Sequence, residues 1–137
     1  CRELGIGFVP WSPRGAGYLT GTIDAKTEIS ATAFRASSPR FTAAAREANS
    51  GLVALLARIA AAKGATPAQV ALAWLLAQQP FIVPIPGTRR LERVRENVGA
   101  ARVVLTDADL AEIEAEAGSI AVQGERLPAA VLQYSYR

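Results

Sequence analysis

A chain of 137 residues, 50% apolar and 20% charged, holds one domain of ordinary size and is not disordered. Its net charge of +3 comes without a long Lys/Arg run, so neither a nucleic-acid arm nor a membrane anchor is expected. No stretch approaches the roughly 20 uncharged apolar residues of a membrane span. The single cysteine, Cys1, excludes a disulfide scaffold. The absence of histidine removes any Ser-His or Cys-His triad, His-ligated zinc or imidazole acid/base from this chain.

No methionine is present, and the first residues, Cys1-Arg2-Glu3-Leu4-Gly5, read as a helix end closed by a left-handed glycine. With no signal-peptide pattern, the expectation is the C-terminal piece of a larger cytoplasmic protein. Ile6-Gly7-Phe8-Val9-Pro10-Trp11 is a short apolar run that predicts a buried strand. Ser12-Pro13-Arg14-Gly15-Ala16-Gly17 breaks it with turn residues, and residues 18–41 show no period, as in a long functional loop. A helix over about 44–63 follows, with Leu52, Leu55, Leu56, Ile59 and Ala60 on one stripe, Asn49 or Ser50 as cap and Gly64 as stop.

Thr66-Pro67-Ala68-Gln69 is a capping-box start for a helix over about 67–79, apolar nearly all round. Phe81-Ile82-Val83-Pro84-Ile85 predicts a second buried strand, although Pro84 and Pro86 each remove a ladder donor. A helix over about 90–99 carries one apolar stripe, Leu91, Val94 and Val98. Leu105-Thr106-Asp107-Ala108-Asp109-Leu110 combines a Thr cap, two first-turn acids and a hydrophobic staple, opening a helix over about 107–117. The tail from Ser119 has little pattern. Strands alternating with helices imply parallel βα units, and two such units cannot close a sheet. The fold expected is therefore α/β, the last portion of a (β/α)8 barrel of roughly 250 residues.

Two segments could carry chemistry. Gly87-Thr88-Arg89-Arg90-Leu91-Glu92-Arg93 places arginines where a helix begins, although a helix N-terminus favours acids. Free backbone N–H groups with Arg89, Arg90 and Arg93 make a phosphate site; a solvated basic face paired with Glu92 and Glu96 accounts for the same residues equally well. Trp11-Ser12-Pro13-Arg14-Gly15 could present an aromatic face and N–H groups to a ligand, or Trp11 could be plain core. Cys1 has no base beside it and reads as a buried or fortuitous residue rather than a nucleophile. Asp24, Glu28, Asp107 and Asp109 form no metal or paired-carboxylate motif.

Val9-Pro10-Trp11-Ser12-Pro13-Arg14-Gly15-Ala16-Gly17-Tyr18-Leu19-Thr20-Gly21 resembles the seventh-strand segment of aldo-keto reductases. Residues 66–74 and 82–88, with Arg93-Val94-Arg95-Glu96-Asn97-Val98, resemble that family's next helix, eighth strand and final cofactor helix, nearest to the branch related to potassium-channel β subunits. The resemblance implies a TIM barrel that binds NADP(H) and transfers hydride to a small-molecule aldehyde or ketone. It places Trp11 against the nicotinamide and Ser12, Pro13, Arg14 and Gly15 near the pyrophosphate. Gly87, Thr88, Arg89 and Arg93 map onto the 2′-phosphate site, and Glu96 and Asn97 lie near the adenine. Arg14 replaces the family's more usual leucine.

The family's catalytic Asp, Tyr, Lys and His match nothing here; Tyr18, Tyr134 and Tyr136 take none of those roles. The chain by itself is expected to be inactive and to associate, with itself or with the rest of its barrel. The alternatives are a cofactor-binding regulatory subunit and a truncated product.

Overall fold

The computed structural model describes residues 1–134; Tyr136 and the last residues of the tail lie outside them. Six α-helices are formed among the described residues: α1 (Ala43–Ala48), α2 (Ser50–Lys63), α3 (Pro67–Gln78), α4 (Leu91–Gly99), α5 (Asp107–Ser119) and α6 (Ala129–Leu132). Cap chemistry explains where three of them begin. The Thr42 side chain accepts from the Ala45 N–H at 3.2 Å, and Thr66 and Thr106 each complete a reciprocal capping box, with Gln69 and Asp109. Gly5 and Gly64 close their turns in the left-handed region, as the sequence predicts.

The helix expected over 44–63 is two helices. Asn49 was one of the two caps expected for it, but its side chain makes no cap bond and α2 starts without one. The reason is that Asn49, 1% exposed, uses both ends of its amide on the backbone of Gln123. Leu55, Leu56, Ile59 and Ala60 of α2, Val70 and Ala71 of α3 and Ile113 of α5 form the core. Burial of these faces is what holds the helices together.

At three places the structure departs from the expectations or adds to them. No strand forms among the described residues: segments 6–11 and 81–85 meet at two isolated parallel bridges, Phe8 with Ile82 and Trp11 with Ile85. Three hydrogen bonds link them: the Phe8 N–H donates to the Phe81 carbonyl at 2.8 Å, Val83 to Phe8 at 2.8 Å and Ile85 to Pro10 at 3.2 Å. Pro10, Pro84 and Pro86 have no N–H to extend that ladder. Second, the stripe of α4 is uncovered, with Leu91 62%, Val94 43% and Val98 64% exposed. Third, α3 is buried only over its first half; Leu76 is 39% exposed. Cys1 is exposed, which removes the buried one of its two readings and leaves the fortuitous one. No single helix among the described residues is long and apolar enough to cross a membrane.

The start of α5 supplies a pH-sensitive contact. Asp109 lies 2.5 Å from the Lys63 ammonium and accepts at 2.6 Å from both the Thr106 N–H and hydroxyl, and these bonds hold its carboxyl down to about 2. A depressed carboxylate pKa gives stability that is present above its unfolded value near 3.8 and lost as pH falls through about 2. Melting temperatures of the parent and of Asp109→Ala should therefore converge as pH falls from about 4 towards 2. A constant gap across that window contradicts the assignment.

Candidate functional site

The turn after Trp11 is built from unusual backbone. Ser12 (φ 49°), Gly15 (56°), Ala16 (52°) and Gly17 (97°) all lie in the left-handed region, which glycine enters freely and Ser and Ala do not. Strain of about 1–3 kcal/mol at each non-glycine position persists only where the surroundings enforce it. Here they do. Gly15 and Gly17 donate to the carbonyls of Ser12 and Arg14, each at 3.0 Å, and Arg35 Nε donates to the Ala16 carbonyl at 2.7 Å.

Arg14 Nη2 donates to the Gly87 carbonyl at 3.2 Å and ties this turn to the one that follows Ile85. Between the two turns lies a cleft of about 520 Å³. Trp11, Ser12, Pro13, Arg14, Ala16 and Gly17 form one wall, Ile85, Pro86 and Gly87 the other, and Phe34 and Arg35 of the long loop complete it. The described lining contains two guanidinium groups, two aromatic rings and no carboxylate.

The basic segment realises part of each reading of its arginines. Arg90 pairs with Glu92 at 2.5 Å and Arg93 with Glu96 at 2.8 Å, as on a solvated face. Arg89 is exposed and makes no hydrogen bond or ion pair among the described residues, so it stays available to an anion. The Thr88 hydroxyl accepts from the Arg90 N–H at 3.2 Å, which shapes the entry into α4.

Burial pushes the Arg14 guanidinium below its ordinary value, against the opposing pull of Glu96, and the like charge of Arg93 lowers it further. Burial alone would raise the Glu96 carboxyl. Its bonds to Arg93 and Thr66 and the charges of Arg93 and Arg14 hold it below the usual range instead. Arg14, Gly87, Arg93 and Glu96 are thus one electrostatic neighbourhood.

Asn97 is placed elsewhere, in an apolar cavity of about 320 Å³ beside Val83, Pro84 and Pro86, where its Oδ1 is buried without a partner. Trp11 is 49% exposed. Its ring lies 4.6 Å from the Arg126 guanidinium, and Arg126 Nη2 donates to the Trp11 carbonyl at 3.0 Å. Sequence reasoning passed over Phe34, Arg35 and Arg126. The length of loop 18–41 was the only signal for the first two, and Arg126 sits in a tail without periodicity. Among the described residues, no three His, Cys, Asp or Glu side chains are grouped as metal ligands.

Residues 1–117 match the model of the Aldo/keto reductase family. The chain is 41% identical over 128 residues to "Aldo-keto reductase yakc [NADP(+)]" of Schizosaccharomyces pombe, covering 93% of this chain and 38% of that protein. It is 39% identical over 125 residues to "Aldo-keto reductase str7" of Strobilurus tenacellus, covering 91% of this chain and 37% of the relative. Among solved structures it is similar to the thermostable aldo-keto reductase Tm1743 in complex with the inhibitor epalrestat. That likeness has a TM-score of 0.55 and 26% identity, over 85% of this chain and 31% of the other. The chain spans less than two fifths of the length of these curated relatives.

Proposed function

Because the chain belongs to the aldo/keto reductase family, we propose that it supplies the NADP(H)-holding part of a reductase acting on an aldehyde or ketone. The observation that carries this reading is the cleft between the turns at 11–17 and 85–87, walled by Arg14, Arg35, Trp11 and Phe34 with no carboxylate among its described lining. Its donors and rings fit a dinucleotide, whose phosphates want guanidinium forks and whose bases want flat apolar faces. When bound, the nicotinamide supplies or accepts the hydride.

In this reading Trp11 supports the nicotinamide ring and residues 12–15 face the pyrophosphate. Gly87, Thr88, Arg89 and Arg93 hold the 2′-phosphate, with Glu96 towards the adenine. Arg14 keeps the two walls in register through its bond to the Gly87 carbonyl. Glu96 has a second role. By pairing with Arg93 at 2.8 Å it fixes the guanidinium until the phosphate competes for it.

We assign the two bridged segments to the last two strands of a (β/α)8 barrel, in the branch related to potassium-channel β subunits. The catalytic tetrad belongs to other parts of that barrel. The name of the Schizosaccharomyces relative, which specifies NADP(+), supports the choice of cofactor.

Arg93→Ala tests the phosphate assignment. A charge-assisted contact contributes about 1.5–3 kcal/mol, which is roughly tenfold or more in affinity. Titration followed by cofactor fluorescence should show NADPH binding weakened by that factor and NADH nearly unchanged. Equal weakening of both cofactors removes Arg93 from the phosphate site.

A further inference from the structure

Arg46 is a buried cation without an ion pair. It lies on α1, is 6% exposed, and meets no carboxylate within bonding distance among the described residues. Its Nη1 donates instead to two backbone carbonyls of the long loop, that of Asp24 and, at 2.8 Å, that of Thr27. Its Nε is buried with no partner at all. A guanidinium taken out of water without a counter-charge lowers stability, and an apolar side chain of similar volume would fill the space with less penalty. What the charged group adds is its hold on residues 24–27.

The same residue also holds the start of that loop. Its carbonyl accepts the Tyr18 hydroxyl at 2.5 Å. The Tyr18 ring stands edge-on to Phe41, with centroids 6.2 Å apart and planes at 82°, and the Arg35 guanidinium lies 5.8 Å from the Phe41 ring. Arg35 Nε bonds the Ala16 carbonyl, and Arg35 packs so close that a Cβ on Gly17 would stand 3.1 Å from its Nη2. Contiguous contacts therefore run from α1 to the strained turn, ending on Arg35 in the wall of the cleft.

We propose that Arg46 is a positioning residue for the cleft: by fastening Asp24 and Thr27 to α1 it fixes the loop that presents Arg35. Arg46 itself does not line the cleft. The inference rests on the cofactor-holding reading and adds a residue that acts on that site from outside it.

Arg46→Met tests it, because methionine fills the space and removes the donors. The chain has two lysines, so a lysine-specific endoproteinase cuts only after Lys26, between the two fastened carbonyls, and after Lys63 at the end of α2. Cutting after Lys26 should accelerate about fivefold or more while cutting after Lys63 stays at the parental rate. By calorimetry the Kd for NADPH should rise about fivefold or more. The Kd for 2′-AMP, which lacks the pyrophosphate and nicotinamide, should not change. Arg46→Lys, whose ammonium still donates to carbonyls, should restore most of both effects. In an Arg35→Ala background Arg46→Met should weaken NADPH binding little further, since its effect passes through Arg35.

Parental cutting after Lys26, or equal acceleration at both lysines, overturns the proposal. Additive losses of NADPH binding in the double variant overturn it as well. Saturable NADPH binding by the parent that Arg46→Met leaves unchanged rejects the positioning role alone. A parent that binds no NADPH rejects the cofactor reading, and cutting at Lys26 then still decides whether Arg46 holds the loop.

Discussion

Ile59→Ala should lower the stability of the chain by about 2–5 kcal/mol, the cost of deleting a buried branched side chain and leaving a cavity. Ile59 is 3% exposed and sits in the core formed by α2, α3 and α5. Total stability for a domain of this size is about 5–15 kcal/mol, so the melting temperature should fall by on the order of ten degrees. Leu91→Ala is the matched control. Leu91 is 62% exposed on the uncovered stripe of α4, and its truncation should change stability by less than about 0.5 kcal/mol. Chemical denaturation of both variants reads the difference. Equal losses would mean that the α4 face is covered in solution and that the core lies elsewhere than the structure puts it.

The 137-residue chain should show no carbonyl-dependent oxidation of NADPH and should associate. Carbonyl reduction needs a poised proton donor, and Tyr18 is not one. Its hydroxyl is committed to the Arg46 carbonyl at 2.5 Å, and burial raises its pKa, holding the proton in place. Lys63 is paired with Asp109 and Lys26 lies in the long loop, so neither accompanies a tyrosine as the family's lysine does. Association follows from the uncovered apolar surface. Phe8, Val9, Val83 and Ile85 flank the two-bridge ladder and are 48–54% exposed. Steady turnover above a buffer blank would overturn the first expectation, and a monomeric mass by light scattering the second.

The legible parts of the sequence were the local ones. Thr66 with Gln69 and Thr106 with Asp109 fix helix starts through contacts three residues apart, so the signal sits inside a four-residue window. The core stripe of α2 was readable for the same reason. What escaped was long-range. Asn49 has the chemistry of a cap, but a partner 74 residues away, Gln123, takes its amide. The strand-like runs at 6–11 and 81–85 were found, yet three prolines keep their pairing to isolated bridges. Arg126 reaches Trp11 across 115 residues, and nothing in the tail announces it. Among the candidate site residues, Arg14 and Gly87 are brought together by a direct bond, whereas Asn97 lies in a separate cavity.

The most direct measurement is a calorimetric titration of the chain with NADPH, repeated in the presence of 2′,5′-ADP and of 5′-AMP. One saturable site per chain is expected, displaced by 2′,5′-ADP at concentrations where 5′-AMP has little effect, as the proposed contacts of Arg89 and Arg93 with the 2′-phosphate require. The absence of saturable NADPH binding, or equal displacement by the two nucleotides, would contradict it.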